Sequence, residues 1–382
     1  MTAQSNQEIT PARTLEEAVS ILNKGVSPND REYFQRQFKE YGVGDTPLLD
    51  MREYVDRDID THGQIILIKD ESKNLDGKTD LFSGNVKVRF GLRGILEAMS
   101  PNGRRTLDGN VQRYSNIEGF VEATSGSTGT AIAYFAREKK VPCVIFIPEN
   151  AEQRIKEIKF LEADVRRTPA VDYMDGAIKG ADDFLKDNPK YVQFVQYNNT
   201  ANVSAHFDTT GVEFIEQTDT LVRRFPDFLV AGGGTSGTVM GSGIRLKYEA
   251  SRRKHGDKDV GVYIVQPNDD AFHLYGGTQW IERKKTDAED NRPWIYRKFA
   301  NVVLGDINKN TIFASNDELI DFLDGYECTF RGGRSTILNI IASLKLAEQL
   351  KDDGIVGKVI VTLSPSNSVG EDYAGLVGMY KR

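Results

Sequence analysis

The stretch Phe228-Leu229-Val230-Ala231-Gly232-Gly233-Gly234-Thr235-Ser236-Gly237-Thr238 decides the fold. Its first four residues read as a buried strand, the glycines as a tight loop, and Ser242 to Lys254 beyond them carries helical periodicity. A strand that passes through a glycine loop into a helix lets backbone N–H groups come close to an anion. The loop lacks the Gly-Lys-Ser/Thr ending of a nucleoside triphosphate loop, and no acidic ribose partner follows it. A lone phosphate monoester suits it better than a nucleotide.

Outward from this stretch the same alternation recurs. Apolar, β-branched runs lie at Ile65–Ile68, Cys143–Ile147, Val262–Val265 and Val359–Leu363. Between them, helical periodicity marks Val88–Met99, Thr130–Lys139, Glu152–Leu161, Asp172–Lys186, Thr209–Thr218 and Ser335–Lys351. Strands that alternate with helices predict an α/β protein with mostly parallel sheets covered on both faces. Two glycine-rich loops far apart in the chain predict two such domains, with the loops facing one cleft. Residues 15 to 40 read as a surface helix that Gly42 to Leu48 turns, and Glu282 to Arg297, rich in charge, as a solvated excursion, either a lid or a plain insertion.

At 382 residues and 39% apolar content, the chain has room for about two ordinary domains with real cores. A net charge of -7 argues against nucleic acid as a partner, since polyanion binding needs a basic face. The apolar run from Val141 to Pro148 is far short of the roughly 20 residues that cross a bilayer. Met1 to Pro11 lacks an apolar signal core, so the expected location is cytoplasmic, with no membrane partner. Cys143 reads as a buried thiol and Cys328 as structural. His62, His206, His255 and His273 are scattered, so no metal is expected.

Three further segments carry chemistry. Lys87, after Gly84-Asn85-Val86, falls in the first turn of a helix, where the positive dipole end opposes protonation and favours a nucleophilic amine; the plain alternative is a surface lysine. Thr124-Ser125-Gly126-Ser127-Thr128-Gly129 precedes the apolar helix start Ala131–Ala136 and reads as an anion cradle, suited to a carboxylate, or as an ordinary helix cap. Ser368, after the Val359–Leu363 strand, offers a hydroxyl to a heterocyclic nitrogen, or is simply a turn serine. An amine, two anion cradles and a polar endpoint together form the set needed to hold pyridoxal phosphate.

The order and spacing of these segments resemble the cysteine synthase and cystathionine β-synthase family, pyridoxal phosphate enzymes of fold type II with a tryptophan synthase β-like fold. Gly44-Asp45-Thr46-Pro47-Leu48 is similar to the family's G-N-T-P-L, Gly84 to Arg89 to G-S-V-K-D-R, and Thr124 to Gly129 to T-S-G-N-T-G. Gln196-Tyr197-Asn198-Asn199, with Asn202, His206 and Thr209 to Glu213, resembles Q-F-x-N-x-x-N…H…T-T-G-x-E. Gly234 to Thr238 resembles G-T-G-G-T, and Ser368 to Tyr373 resembles S-x-G-E-R-Y.

The resemblance implies a cofactor, pyridoxal 5'-phosphate, in the cleft between two domains. Residues 1–60 and 201–382 would form the larger, phosphate-binding domain, and 61–200 a smaller mobile domain with the lysine and the carboxylate loop. Lys87 would be the Schiff-base lysine and proton carrier. Gly234, Thr235, Ser236, Gly237 and Thr238 would bind the cofactor phosphate, Ser127 and Ser368 would touch the cofactor, and Thr124, Ser125, Gly126, Thr128 and Gln196 would bind the substrate.

A neutral serine on the pyridine nitrogen makes a weaker electron sink than an aspartate, which favours expulsion of a β-substituent. The implied activity is β-replacement on a serine- or cysteine-derived amino acid through an aminoacrylate, with a small nucleophile as co-substrate. The alternatives are β-elimination to a keto acid and ammonia, or a non-catalytic binding protein on the same scaffold. A homodimer is implied as well. Three departures stand out: Ser127 where the family has Asn at the cofactor's phenolic oxygen, a contact then lost, bridged by water or supplied by a neighbour such as Asn85; Val88 in place of Asp; and no clear counterpart of G-I-G-A-G-F, for which Tyr275-Gly276-Gly277-Thr278 is the nearest candidate.

Overall fold

The computed structural model describes residues 9–79, 84–100, 103–253, 259–268, 292–326 and 332–366. In chain order the strands are β1 (Leu48–Asp50), β2 (Ile65–Asp70), β3 (Arg104–Leu107), β4 (Asn110–Arg113), β5 (Gly119–Ala123), β6 (Cys143–Pro148), β7 (Asp164–Thr168), β8 (Tyr191–Gln193), β9 (Phe228–Gly232), β10 (Gly261–Pro267), β11 (Thr311–Ala314) and β12 (Val359–Ser364). They belong to two α/β units. One is built mainly from Ser20–Gly44 and Asn74–Ala205, the other from Pro11–Val19, Asp45–Lys73 and the described residues from His206 onward.

The first unit holds a parallel sheet of order β7-β6-β5-β8. Side chains alternate across it, so Phe120, Ile145 and Val192 join one core with the helices Lys87–Met99 and Ser127–Glu138. Val121, Val144 and Phe146 face the other way, against Ala177 and Ala181 of the helix Tyr173–Asp187. Both faces are covered, as a parallel sheet requires. The chain runs β5, β6, β7 outward and then returns to place β8 on the far side of β5. Strand order therefore reverses at β5 and β8, and ligands in open α/β sheets bind beyond the carboxyl ends at such a point.

The second unit holds a sheet of order β1-β2-β12-β9-β10-β11, parallel except for β1. Ile68, Val230, Val265 and Ile360 pack on Ile337 and Ile341 of the helix Arg334–Asp352. On the opposite face Leu229, Ala231 and Ile264 are buried, and the helix Gly237–Arg252 packs on β9. Here the order reverses between β9 and β12, so the carboxyl end of β9 is again a ligand position.

Some elements differ from the sequence reading. Residues 15 to 40 form two helices, Leu15–Asn23 and Pro28–Tyr41, because Ser27 and Asp30 close a capping box and Pro28 starts a new helix. Within Glu282–Arg297, Trp294 opens a helix to Leu304 in which Trp294, Ile295 and Tyr296 are buried, so the charged excursion ends before these apolar residues; residues 282–291 lie outside the described ones. Between the first two motifs of the same unit, β3 and β4 make a hairpin whose turn residues Asp108 and Gly109 both have positive φ, 50° and 75°.

Candidate functional site

Lys87 is the first residue of the helix Lys87–Met99. Asn85 caps that start: its Oδ1 accepts the Lys87 N–H at 2.9 Å, its carbonyl accepts the Val88 N–H at 3.2 Å, and Asn74 Nδ2 donates to the same carbonyl at 3.3 Å. The Lys87 side chain is half-buried and makes no ion pair or hydrogen bond with a described residue. Desolvation of its ammonium lowers it to about 8 from the usual 10.5.

The second helix of the site starts at Ser127 and crosses the first very closely. At Gly91 an added Cβ would meet the Ala131 Cβ at 3.0 Å and the Ala131 carbonyl carbon at 3.3 Å. Gly91 and Ala131 each lie four residues into their helix, about 6 Å along the axis. The crossing thus brings the two positive helix ends, one carrying Lys87 and the other the hydroxyl loop, into one neighbourhood.

The Thr124–Gly129 loop is a built turn. Buried Thr124 Oγ1 accepts the N–H of Gly126 at 3.0 Å and of Gly129 at 3.3 Å. Buried Thr128 donates to Gln196 Oε1 at 2.7 Å, while Ser125 is exposed and Gly126 and Ser127 are half-buried. The first-turn N–H groups of Ser127 and Thr128 have no intrahelical acceptor, so the loop presents donors to an anion. Thr124, Ser125, Gly126, Ser127, Thr128, Gln196 and Lys87 therefore all belong to one unit, at the point where β5 and β8 end.

Sequence reading missed the residue that aims Gln196. Glu122, 2% exposed and next to last in β5, accepts the N–H groups of Phe194 at 2.9 Å and Val195 at 3.0 Å. Val195 has φ +52°, a left-handed conformation that a β-branched residue holds only under constraint. Burial raises the Glu122 carboxyl to about 7, against the lowering effect of those N–H bonds and of Arg105. The only sequence signal was a lone acidic residue inside an apolar run.

In the second unit the Gly234–Thr238 loop follows β9 and opens the helix Gly237–Arg252. Gly233 packs so closely that a Cβ would meet Gln266 Nε2 at 2.4 Å and Ile264 Cδ1 at 2.6 Å. Ser236 turns the chain with φ +66°, and Thr238 Oγ1 lies 3.1 Å from His206 Nε2, whose Nδ1 lies 2.8 Å from Thr210 Oγ1. Asn339 joins the ends of the two central strands: its Oδ1 accepts the Gly232 N–H at 2.8 Å and its Nδ2 donates to the Leu363 carbonyl at 2.8 Å. Ser368 lies outside the described residues, as do Cys328, His255, His273 and Tyr275–Thr278.

Thr46 and Glu213, two residues of the recognised motifs, are scaffold. Buried Lys69 donates to the Thr46 carbonyl at 2.7 Å and to Gln217 Oε1 at 2.9 Å, and pairs with Glu213 at 2.7 Å. Cys143 is buried, and burial raises its thiol. Among the described residues no group of three His, Cys, Asp or Glu is placed to hold a metal, and no helix is long and apolar enough to cross a membrane.

Residues 39–328 match the family described as "Pyridoxal-phosphate dependent enzyme". A cysteine synthase of Aquifex aeolicus is 32% identical over 340 residues, which are 87% of this chain and 88% of that protein. Among solved structures, a hydrogen sulfide-producing enzyme of Fusobacterium nucleatum superposes with a TM-score of 0.66 at 24% identity, covering 91% of this chain and 92% of that one. An O-ureido-L-serine synthase superposes with a TM-score of 0.65 at 20% identity, over 87% and 93%.

Proposed function

The chain belongs to the family of pyridoxal-phosphate dependent enzymes, and we propose that it removes the β-substituent of a serine- or cysteine-derived amino acid. One observation carries this reading: a desolvated lysine, unpaired among the described residues, opens a helix that crosses the helix of a carboxylate-type anion loop at Gly91 and Ala131, four residues from each start. That pairing suits a base working at the α-carbon of an amino acid held by its carboxylate.

The residues fit the cofactor. Lys87 offers an amine kept down at about 8, so about a tenth of it is neutral at pH 7, where an ordinary lysine has under a thousandth. Two residues away Asn85 has a buried amide nitrogen with no hydrogen-bond partner among the described residues, and Gly233 lets the backbone pass too close to Gln266 and Ile264 for any side chain just before the open first turn of its helix. Bound through Lys87, pyridoxal phosphate supplies an electron sink for the α-carbon.

Lys87 would take the substrate's α-proton and later return a proton. Thr124, Ser125, Gly126, Thr128 and Gln196 hold the substrate carboxylate. Gly234, Thr235, Ser236, Gly237 and Thr238 would hold the phosphate, Ser127 would touch the cofactor, and Ser368 would hydrogen-bond its ring nitrogen.

Loss of the β-substituent is common to replacement and to net elimination. Water alone completes the elimination, giving a keto acid and ammonia, and the absence of a G-I-G-A-G-F counterpart in the sequence supports that outcome. The 32% identity to a cysteine synthase supports the other, in which a nucleophile adds. The test incubates protein loaded with pyridoxal phosphate with O-acetylserine, O-phosphoserine, cysteine or serine, with and without sulfide. Release of the β-substituent from at least one of them is expected, with equal pyruvate in both conditions for elimination and sulfide-suppressed pyruvate for replacement. No release from any of the four would overturn the proposal.

A further inference from the structure

We infer that Asn85 holds the phenolic oxygen of pyridoxal phosphate, the contact that position 127 is too short and too exposed to make. Asn85 is 2% exposed, and its Nδ2 is a buried donor with no hydrogen-bond partner among the described residues. A buried amide donor left unmet is costly, so a partner at that atom is expected in the working protein.

The direction of the amide is set by its other bonds. Oδ1 accepts the Lys87 N–H at 2.9 Å, and a flip would oppose two donors, so the nitrogen is the end left free. Asn74, whose Oδ1 accepts the Gly44 N–H at 2.9 Å, pins the Asn85 carbonyl from the other side. Asn85 is therefore a rigid donor two residues before the lysine.

Chemistry names the acceptor. In a Schiff base between Lys87 and pyridoxal phosphate, the phenolic oxygen and the phosphate-bearing methylene would flank the imine on either side; the phenolic oxygen would bond internally to the imine N–H, and the phosphate would go to the Gly234–Thr238 loop. With the phosphate assigned to that loop, the phenolic oxygen is the acceptor left near the imine for a donor fixed beside Lys87. Donation there withdraws charge from that oxygen and weakens its hold on the imine proton. The cofactor's position and the imine's acidity both depend on Asn85. Ser127, half-buried at the start of the neighbouring helix, has a shorter side chain.

The inference rests on Lys87 being the Schiff-base residue, and the experiment separates the two. Asn85→Asp keeps the size and the cap acceptor but replaces the donor by an oxygen, and Asn85→Ser keeps a cap hydroxyl without the reach. For each, and for Asn85→Ser combined with Ser127→Asn, cofactor affinity is measured by titrating the apo-protein, and the visible band is followed against pH. Asn85→Ser is expected to weaken binding about tenfold to hundredfold, the worth of a hydrogen bond to a charged group, and to move the band's titration to higher pH. Asn85→Asp should weaken it further, and Ser127→Asn should recover part of both effects. Wild-type affinity and an unmoved titration in folded Asn85→Asp would overturn the assignment, as would a loss of affinity without any change in the titration. Persistence of the visible band in Lys87→Ala would instead overturn the Schiff-base reading.

Discussion

Glu122→Gln isolates the most unusual group of the first unit. Gln keeps the carbonyl-type oxygen that accepts the Phe194 and Val195 N–H groups and removes the charge from a residue 2% exposed. Burial pushes the Glu122 carboxyl up to about 7 in the fold, against its usual 4.5. Because the folded state binds the proton more tightly, stability from this group is fully present below about pH 4.5, falls as pH rises, and is lost above about 7.

A rise of this size is worth about 3 kcal/mol at 1.4 kcal/mol per unit. Urea unfolding followed by fluorescence at pH 4.5, 6, 7 and 8 measures the effect as a difference between wild type and variant. The gap should open in favour of Glu122→Gln by about 3 kcal/mol between pH 4.5 and 8. Parallel curves over that window would refute the reasoning and mean that Glu122 is solvated or paired as an anion. Glu122→Ala, which frees the strained Val195 backbone, should raise KM for the amino acid more than it lowers kcat, because Gln196 loses its aim.

Two glycines test the close approaches. Gly91→Ala sets a Cβ 3.0 Å from the Ala131 Cβ, so the helices must part; a loss of about 1–3 kcal/mol is expected in thermal unfolding, with a fall in kcat of about tenfold or more from the displaced lysine, and Ala131→Gly in the same protein should restore part of each. Gly233→Ala drives a Cβ to 2.4 Å from Gln266 Nε2 and should weaken pyridoxal phosphate binding, measured by titration, while the saturated protein keeps its visible band.

What the sequence made legible followed physical simplicity. β2, β6, β9, β10 and β12 are buried on both faces and so appear as unbroken apolar runs. β5, central to the first sheet, stayed hidden because Glu122 interrupts its run, and that carboxylate serves main-chain donors after β8, a partner 72 positions away. β7 stayed hidden for the opposite reason, since Asp164, Arg166 and Arg167 of this edge strand face solvent. Both anion loops were readable from glycine and hydroxyl spacing. The hairpin turn at Asp108-Gly109 carried a usable signal that went unread. Val195 carried none, because strain exists only once the chain has folded; Asn85 was readable as a candidate neighbour of the phenolic oxygen, but its unmet nitrogen was not.

The central claim is that Lys87 carries the cofactor. The direct measurement is borohydride reduction of the protein loaded with pyridoxal phosphate, followed by proteolysis and peptide mass spectrometry. A pyridoxyl phosphate adduct on Lys87 alone, with loss of the visible band in Lys87→Ala, is the predicted result. An adduct on another lysine, or a band that survives in Lys87→Ala, would contradict the account.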